Sequence, residues 1–371
     1  MSQLRVTEKA LPTHNRQHNR ALILQHLFHG GQMSRADLSR ASGLTRVSIS
    51  DLVGELQAEG LLLDLGPRAD ARVGKPATLI ALDDDSRNVV SINFSEDDHV
   101  TGALFNIRGT VLQRRRVPRQ GRTGMAVVEM AVEIAHELVD ASSAPILGIG
   151  IGAPGVVDDD GVVREAPNLG WVDVHLEDIF VDALTLPTHV ANDANAAALA
   201  VHTFHHGGGK NLILVLFGDG VGSGLIIGGA LVHGEEFTAG EIGHIVIDED
   251  GEPCTCGKTG CLEALISPSH LGPRLERADA PKKQRILAKA GRSLGTALTP
   301  IVAALGVNAV ILAGPRDFVD GPLIEEARRT IERRTLPAVT REMQMRAVTN
   351  PDDLILEGAA ALVLSTQLGI S

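Results

Sequence analysis

Every cysteine of the 371-residue chain falls within eight positions, at Cys254, Cys256 and Cys261, ten residues beyond His244 in the run GEIGHIVIDEDGEPCTCGKTGCLE. Zn²⁺ takes thiolate and imidazole ligands four at a time, and a turn of the form C-x-C-x4-C can wrap three sulfurs round one ion while an upstream residue closes the set. Gly257 and Gly260 supply the tight backbone that such wrapping needs. The candidate ligands are therefore His244, Cys254, Cys256 and Cys261. Four protein ligands leave no position for a reactive water, so the expected Zn²⁺ is structural. Packing alone gives no reason for all the thiols to gather in one turn. A redox pair would read C-x-x-C and has no local use for a third thiol.

The chain around this turn is long enough for a sizeable core. The chain is 44% hydrophobic and 22% charged, which fits a globular protein of two or three domains. No apolar run of 18 residues interrupts it, and charged residues stand where a signal peptide needs an apolar block. The expected location is the cytoplasm, whose reducing conditions suit metal-bound thiolates. Residues 1–80 carry 10 of the 34 Lys+Arg and 7 of the 46 Asp+Glu, a balance of +3, so the remainder stands at −15 of the total −12. Like charge repels most of the chain from nucleic acid, and any DNA contact is confined to the first 80 residues.

Within that segment, Leu22, Ile23, Leu27 and Phe28 recur at helical spacing and predict a first amphipathic helix over 19–28. Ser34 with Asp37 three residues on signals the start of a short second helix that runs to about Ser42, and Gly43 makes the turn. Thr45 caps a third helix whose buried stripe is Ile49, Leu52, Val53 and Leu56 and which ends near Gly60. Val47, Ser50, Asp51 and Gly54 then face outward. The runs LLLDLG and ATLIAL predict two strands around a loop, PRADARVGKP, that forms a wing. A winged helix-turn-helix puts the head of its third helix into the major groove. The candidate DNA contacts are Arg35, Thr45, Arg46, Val47, Ser48 and Ser50, with Arg72 and Lys75 of the wing reaching phosphate or the minor groove. Residues 81–87, LDDDSR included, read as a linker.

From residue 88 onward short apolar strands alternate with helices. Two successive halves show the same order of three strands, helix and strand, which predicts a duplicated α/β domain with a ligand cleft between its lobes. Arg114, Arg115 and Arg116 fall on a strand edge and read as a solvated face. His202, His205 and His206 lie beside a glycine run without a neighbouring cysteine or carboxylate and read as a loop.

The cysteine motif, with VANDANAAA at 190–198, GIGAPGVVD at 150–158 and PNLGW at 167–171, resembles the ROK family of sugar kinases and sugar-responsive repressors. The likeness spans nearly the whole chain. It implies an actin-like, ribonuclease-H-like fold behind the winged helix, and a pyranose held by Asn168, Asn192, Asp193, Glu241, His244 and Glu263. Vicinal hydroxyls suit such carboxylates and amides, which grip them with charge-assisted hydrogen bonds. Zn²⁺ would join Glu241 and Glu263 into one turn and orient His244. The resemblance also places Trp171 on the rim of the cleft.

Kinase members of the family carry a D-x-G-G-T turn after the first strand, where this chain reads Asn93-Phe94-Ser95-Glu96-Asp97. A second phosphate loop reads Gly218-Asp219-Gly220, and a third glycine turn reads Ala313-Gly314-Pro315. Carboxylates replace the groups that would approach phosphate. The expectation is a non-catalytic, sugar-responsive repressor acting on a palindromic operator as a homodimer or homotetramer. An ATP-dependent sugar kinase fused to a DNA-binding domain is the alternative.

Overall fold

The computed structural model describes residues 15–67, 77–205 and 209–371. The N-terminal unit comprises α1 (Asn15–Gly30), β1 (Met33–Ser34), α2 (Arg35–Ser42) and α3 (Arg46–Ala58). Two caps set its geometry. The Ser34 hydroxyl accepts from the Asp37 N–H at 3.1 Å while Asp37 accepts from the Ser34 N–H at 3.1 Å, and this reciprocal capping box starts α2. Gly43, at φ 69°, ends it in the left-handed region. Thr45 then caps α3 through the Ser48 N–H. Ile49, Leu52, Val53 and Leu56 are buried, while Val47, Ser50, Asp51 and Gly54 are exposed, as the stripe predicts. Strands β2 (Leu62–Pro67) and β3 (Thr78–Leu82) pair antiparallel and, with β1, form a sheet of order β1-β3-β2. Arg72 and Lys75, on the loop between β2 and β3, lie outside the described residues.

The first lobe contains β4 (Asn88–Asn93), β5 (His99–Asn106), β6 (Val111–Pro118), α4 (Met125–Asp140) and β7 (Ile146–Ala153). A small sheet of β8 (Val156–Val157), β9 (Val162–Ala166) and β10 (Trp171–His175) follows, then α5 (Leu176–Leu184), β11 (Thr188–Asn192) and α6 (Asp193–Thr203). The second lobe has β12 (Leu212–Phe217), β13 (Val221–Ile227) and β14 (Ala230–Leu231). Helices α7 (Leu262–Ile266), α8 (Pro268–Glu276) and α9 (Ala280–Leu305) lead to β15 (Ala309–Ala313). After α10 (Arg316–Val319), α11 (Pro322–Arg334) and α12 (Pro337–Thr340) come β16 (Gln344–Val348) and α13 (Pro351–Leu368).

The two large sheets run β6-β5-β4-β7-β11 and β14-β13-β12-β15-β16. In each, three strands form an antiparallel meander and two more add in parallel on the far side of the first. The lobes are therefore one unit twice over. Central strands such as LILVLF (β12) and AVILA (β15) are buried at every position because helices cover both sheet faces.

Helix α13 holds the molecule together. A Cβ at Gly150 of β7 would clash with the Ala359 carbonyl, and one at Gly358 with the Ala196 carbonyl of α6, so α13 lies directly against backbone on two sides. Its later turns share a core with the winged helix: Leu356, Ala360, Val363, Leu364 and Leu368 pack in one cluster with Ile23, Leu24, Leu27 and Phe28 of α1. Beyond α13, the Ser371 N–H donates to Gln25 Oε1 at 2.9 Å, its main-chain oxygen accepts from Gln25 Nε2, and His29 Nε2 lies 2.9 Å from that oxygen. The Arg108 guanidinium adds a further tie, stacking 4.9 Å over the Phe28 ring and donating to Asp84 at 2.7 Å.

One expectation holds and one needs adjustment. Arg114, Arg115 and Arg116 are exposed on the edge strand β6, as expected, and there they pair with Asp353, Glu137 and Glu96 of α13, α4 and the first lobe. His202 is a buried member of α6, and His205 reaches Glu357 of α13 at 2.6 Å, so a carboxylate distant in sequence does accompany it. Among the described residues no helix is long and apolar enough to cross a membrane.

Candidate functional site

The four proposed metal ligands converge. Cys256 Sγ lies 3.6 Å from Cys261 Sγ, and Cys254 Sγ lies 3.6 Å from His244 Nδ1. Zn–S bonds of about 2.3 Å and Zn–N bonds of about 2.0–2.1 Å in a tetrahedron put two sulfurs roughly 3.8 Å apart and a sulfur and nitrogen roughly 3.5 Å apart. All four donor atoms fall within 4.8 Å of one another, and the three thiols are free. The donor set therefore fits a tetrahedral thiophilic ion. Gly260, at φ 73°, makes the turn possible, since a Cβ there would strike the Asp248 carbonyl. With Nδ1 toward the thiols, His244 presents Nε2 to Glu241, 3.9 Å from its Oε2.

Beside this turn a cavity of about 910 Å³ opens between the lobes, within the roughly 300–1,000 Å³ typical of small-molecule sites. Asn168, Asn192, Asp193, Glu241, His244 and Glu263 all line it. Asn168 comes from a single 3₁₀ turn before β10, Asn192 from the end of β11 and Asp193 from the head of α6. Glu241 precedes another 3₁₀ turn that ends at His244, and Glu263 sits on α7.

Asn192 serves the fold as well. Its Oδ1 caps α6 by accepting from the Ala194 and Asn195 N–H groups, and its Nδ2 donates to the Gly155 carbonyl at 2.9 Å. The Asn192 amide also hydrogen-bonds the Asp193 carboxyl beside it. Burial pushes the Asp193 carboxyl up to about 6, against which hydrogen bonds from Ser95 and the Ala194 N–H work. Burial likewise raises Glu241, helped by the nearby Glu263 charge and opposed by His244. Glu263 is fixed on both sides: Oε2 accepts from the Val221 N–H at 3.0 Å and Oε1 from the Thr255 hydroxyl at 3.3 Å. A Cβ at Gly220 would displace Glu263 Oε2 from its present position.

Ser95, Glu165, Thr255, Ser269, His270 and Asp352 also line the cavity and were not singled out from sequence. His270 is oriented by a 2.8 Å contact between its Nδ1 and the Ser267 hydroxyl. Its closeness in sequence to Glu263 was an available signal, whereas nothing local marks Asp352. Trp171 does not stand on the rim. It is 1% exposed, donates to the Gly124 carbonyl at 3.1 Å and meets Phe94 edge-on at 5.0 Å inside the first lobe. Its large apolar body gains more from that core than from the cleft.

The acids of the first glycine-poor turn divide. Glu96 is buried and accepts from Thr101 and from Arg116 Nε at 2.8 Å, so its charge is balanced inside the lobe. Asp97 faces Asp219 of the second lobe. A hydrogen bond between the two carboxyls, then burial, pushes Asp97 up to about 6, with Arg119 pulling the other way.

On the N-terminal unit, Val47 is 71% exposed, and Thr45, Arg46 and Ser50 are exposed beside it at the head of α3. An exposed valine at that point can meet a thymine methyl. Ser48 is half-buried, its hydroxyl 2.9 Å from that of Thr45. Arg35 donates to Gln57 in the last turn of α3, at the end opposite the other candidate contacts.

Residues 96–366 match the ROK family across most of the chain. The chain belongs to the ROK family. Ahead of the ROK domain, residues 32–62 match the bacterial regulatory proteins of the crp family, in keeping with the helix-turn-helix. The ROK chain is 27% identical to the xylose repressor of Caldicellulosiruptor bescii, across 95% of its own length and 97% of that protein. It is 30% identical to a glucokinase of Halalkalibacterium halodurans, across 70% of its length and 90% of the enzyme. Its fold is that of a solved ROK family transcriptional regulator described as a homologue of the E. coli Mlc protein, with a TM-score of 0.81 at 22% identity, covering 95% of this chain and 99% of the other.

Proposed function

We propose that this ROK protein is a sugar-responsive transcriptional repressor without catalytic activity. Its winged helix, within residues 1–80, holds operator DNA through α3 and the wing; residues 81–87 join it to a sensing domain over 88–371. A sugar or sugar derivative occupies the interlobe cavity, gripped by Asp193, Glu241 and Glu263, with Asn168, Asn192 and His244 alongside. Zn²⁺ bound by His244, Cys254, Cys256 and Cys261 makes the turn that carries Glu241 and Glu263 rigid. The protein acts in the cytoplasm, and a two-fold operator calls for a homodimer or homotetramer.

One observation carries the reading. Pro351, Asp352 and Ile355 of α13 line the cavity, and the far turns of the same helix share a core with α1. Eighteen helical residues span roughly 27 Å, so a helix packed this tightly can carry lobe closure to the DNA-binding unit as a lever. The likeness to the xylose repressor of C. bescii, which extends over the N-terminal unit, supports the same conclusion. The case against phosphoryl transfer rests on the facing Asp97 and Asp219 carboxyls, which repel the anion a kinase must hold.

A fused sugar kinase is the competing reading. It draws on the glucokinase likeness and on Asp193, whose carboxyl near 6 suits a general base for a sugar hydroxyl. Screening sugars for a rise in melting temperature identifies the effector, because a ligand of the native state must stabilise it by mass action. Measuring ADP release with that sugar then separates the two readings: turnover lost in Asp193→Asn establishes the kinase, and absence of turnover alongside an altered operator affinity establishes the repressor.

A further inference from the structure

A second cavity, of about 320 Å³, opens on the second lobe between the metal turn, α7, α8 and α9. Arg274 of α8 and Lys282, Arg285 and Lys289 of α9 line it, with Asp248 as its one acid. The three α9 cations recur at intervals of three and four residues, so they share a helix face where like charges repel. Some neighbouring and distant cations are neutralised. Arg292, one turn beyond Lys289, faces Glu326, and Arg108 and Arg164 sit against carboxylates. Among the described residues none of the four pocket cations has an ion-pair partner within 4.0 Å, in a chain with 46 acidic residues to draw on. Unpaired cations gathered round a concavity keep their full attraction for an anion.

The floor defines the rest of the ligand. Ile247, Leu265 and Ile286 give an apolar surface for a carbon body. The volume lies at the small end of the roughly 300–1,000 Å³ range of ligand pockets, too small for a peptide or a nucleic-acid groove. Four cations around such a floor match a compact ligand of two or more negative charges, and phosphate offers the acceptor geometry that Arg and Lys grip best. We infer that this cavity binds a small phosphorylated metabolite at a site separate from the interlobe cleft. The inference does not rest on the repressor reading. Its position does bear on that reading: Leu265 is two residues from Glu263 on α7, and Asp248 packs on Gly260 of the metal turn. An occupant braces the turn that carries Glu241 and Glu263, so anion and sugar affinities are coupled, each altering the other by the same factor.

The test is calorimetric titration of the full-length, zinc-loaded chain with 3-phosphoglycerate, which carries no pyranose, with inorganic phosphate and unphosphorylated glycerate as references, all at one ionic strength. The expected result is saturable binding of one 3-phosphoglycerate per chain, weaker binding of phosphate and none of glycerate. Arg285→Glu combined with Lys289→Glu should weaken it at least about tenfold, and Asp193→Ala should leave it intact. Both cations are exposed, so the fold should survive, as the melting temperature will report; the Gln pair at the same positions replaces the Glu pair should it not. Unchanged binding in the charge-altered chain overturns the inference. So does loss of binding in Asp193→Ala, which would place the probe in the cleft. A charge-altered chain that loses operator affinity, from a parent that binds no 3-phosphoglycerate, would make the patch a DNA contact and overturn it equally.

Discussion

Replacing Gln25 with Ala should unhook the winged helix from the end of α13. Gln25 is 5% exposed, and its amide makes two hydrogen bonds to the main chain of Ser371, one in each direction. Each such bond contributes about 0.5–1.5 kcal/mol net, so the pair sums to roughly 1–3 kcal/mol. Part of the tie remains, because His29 still approaches the Ser371 oxygen and the apolar contacts of α1 with Leu364 and Leu368 are untouched. The chain should therefore fold, with a modest loss in urea denaturation. The informative assay is operator binding by fluorescence anisotropy with and without the inducing sugar. Couplings of about 1–3 kcal/mol are usual between linked sites, and in Gln25→Ala the ratio of the two operator affinities should fall toward one. Sugar affinity measured without DNA should stay close to that of the parent. Ile134→Val, buried in the first lobe away from α13, serves as the control, costing about 0.5–1.5 kcal/mol without touching the ratio. Loss of stability in Gln25→Ala with an unchanged ratio would refute α13 as the route.

Cys256→Ser should lower bound zinc from about one per chain to well below it, destabilise the sensing domain and abolish the sugar response; metal analysis with thermal melting checks all of this. Arg46→Ala should cost about 1–3 kcal/mol of specific operator affinity if the guanidinium grips a guanine, whereas equal losses on all sequences would make it a phosphate contact. Asp97 titrates near 6 in the folded protein, above the ordinary 3.8, so the stability owed to its shared proton is complete below about 3.8 and lost as pH rises through 6. Asp219→Asn removes the facing charge and should flatten that part of the melting-temperature profile between pH 4 and 7, leaving the contribution of Asp193; an unaltered profile would show that the two carboxyls do not meet. Trp171, the one tryptophan, reports from the first-lobe core rather than the cleft, so sugar binding should shift its emission only slightly, through the adjoining Asn168 turn. A large polarity shift would place the indole at the ligand after all.

What could be read along the chain was what short range determines. The metal turn needs only residues 244–261, the capping box only Ser34 to Asp37, and the stripe of α3 only its own periodicity, and each is found where the pattern put it. The duplicated strand order was also legible, because central strands buried on both faces are continuous apolar runs. The fifth strand β16, QMRAV, escaped notice because it is short and only partly buried: Met345 and Ala347 alternate toward the core, but five residues interleaved with the polar Gln344 and Arg346 give a weak signal. Contacts made by distant segments left no local trace. Arg116 with Glu96, His205 with Glu357 and Asp97 with Asp219 each depend on tertiary placement. The role of α13 was hidden for the same reason, since a helix apolar on nearly every side says that it is buried without saying between what. Trp171 was misplaced because its neighbour Asn168 does line the cleft while the intervening turn sends the indole inward.

The central claim, that a sugar held between the lobes controls operator binding, is tested most directly by titrating operator DNA with the wild-type chain, Asp193→Ala and Glu263→Ala, each with and without the sugar that raises the wild-type melting temperature. The account predicts that all three chains bind the operator alike in the absence of sugar, and that sugar changes the affinity of the wild type alone. A normal sugar response in either variant, or no response in the wild type, would contradict it.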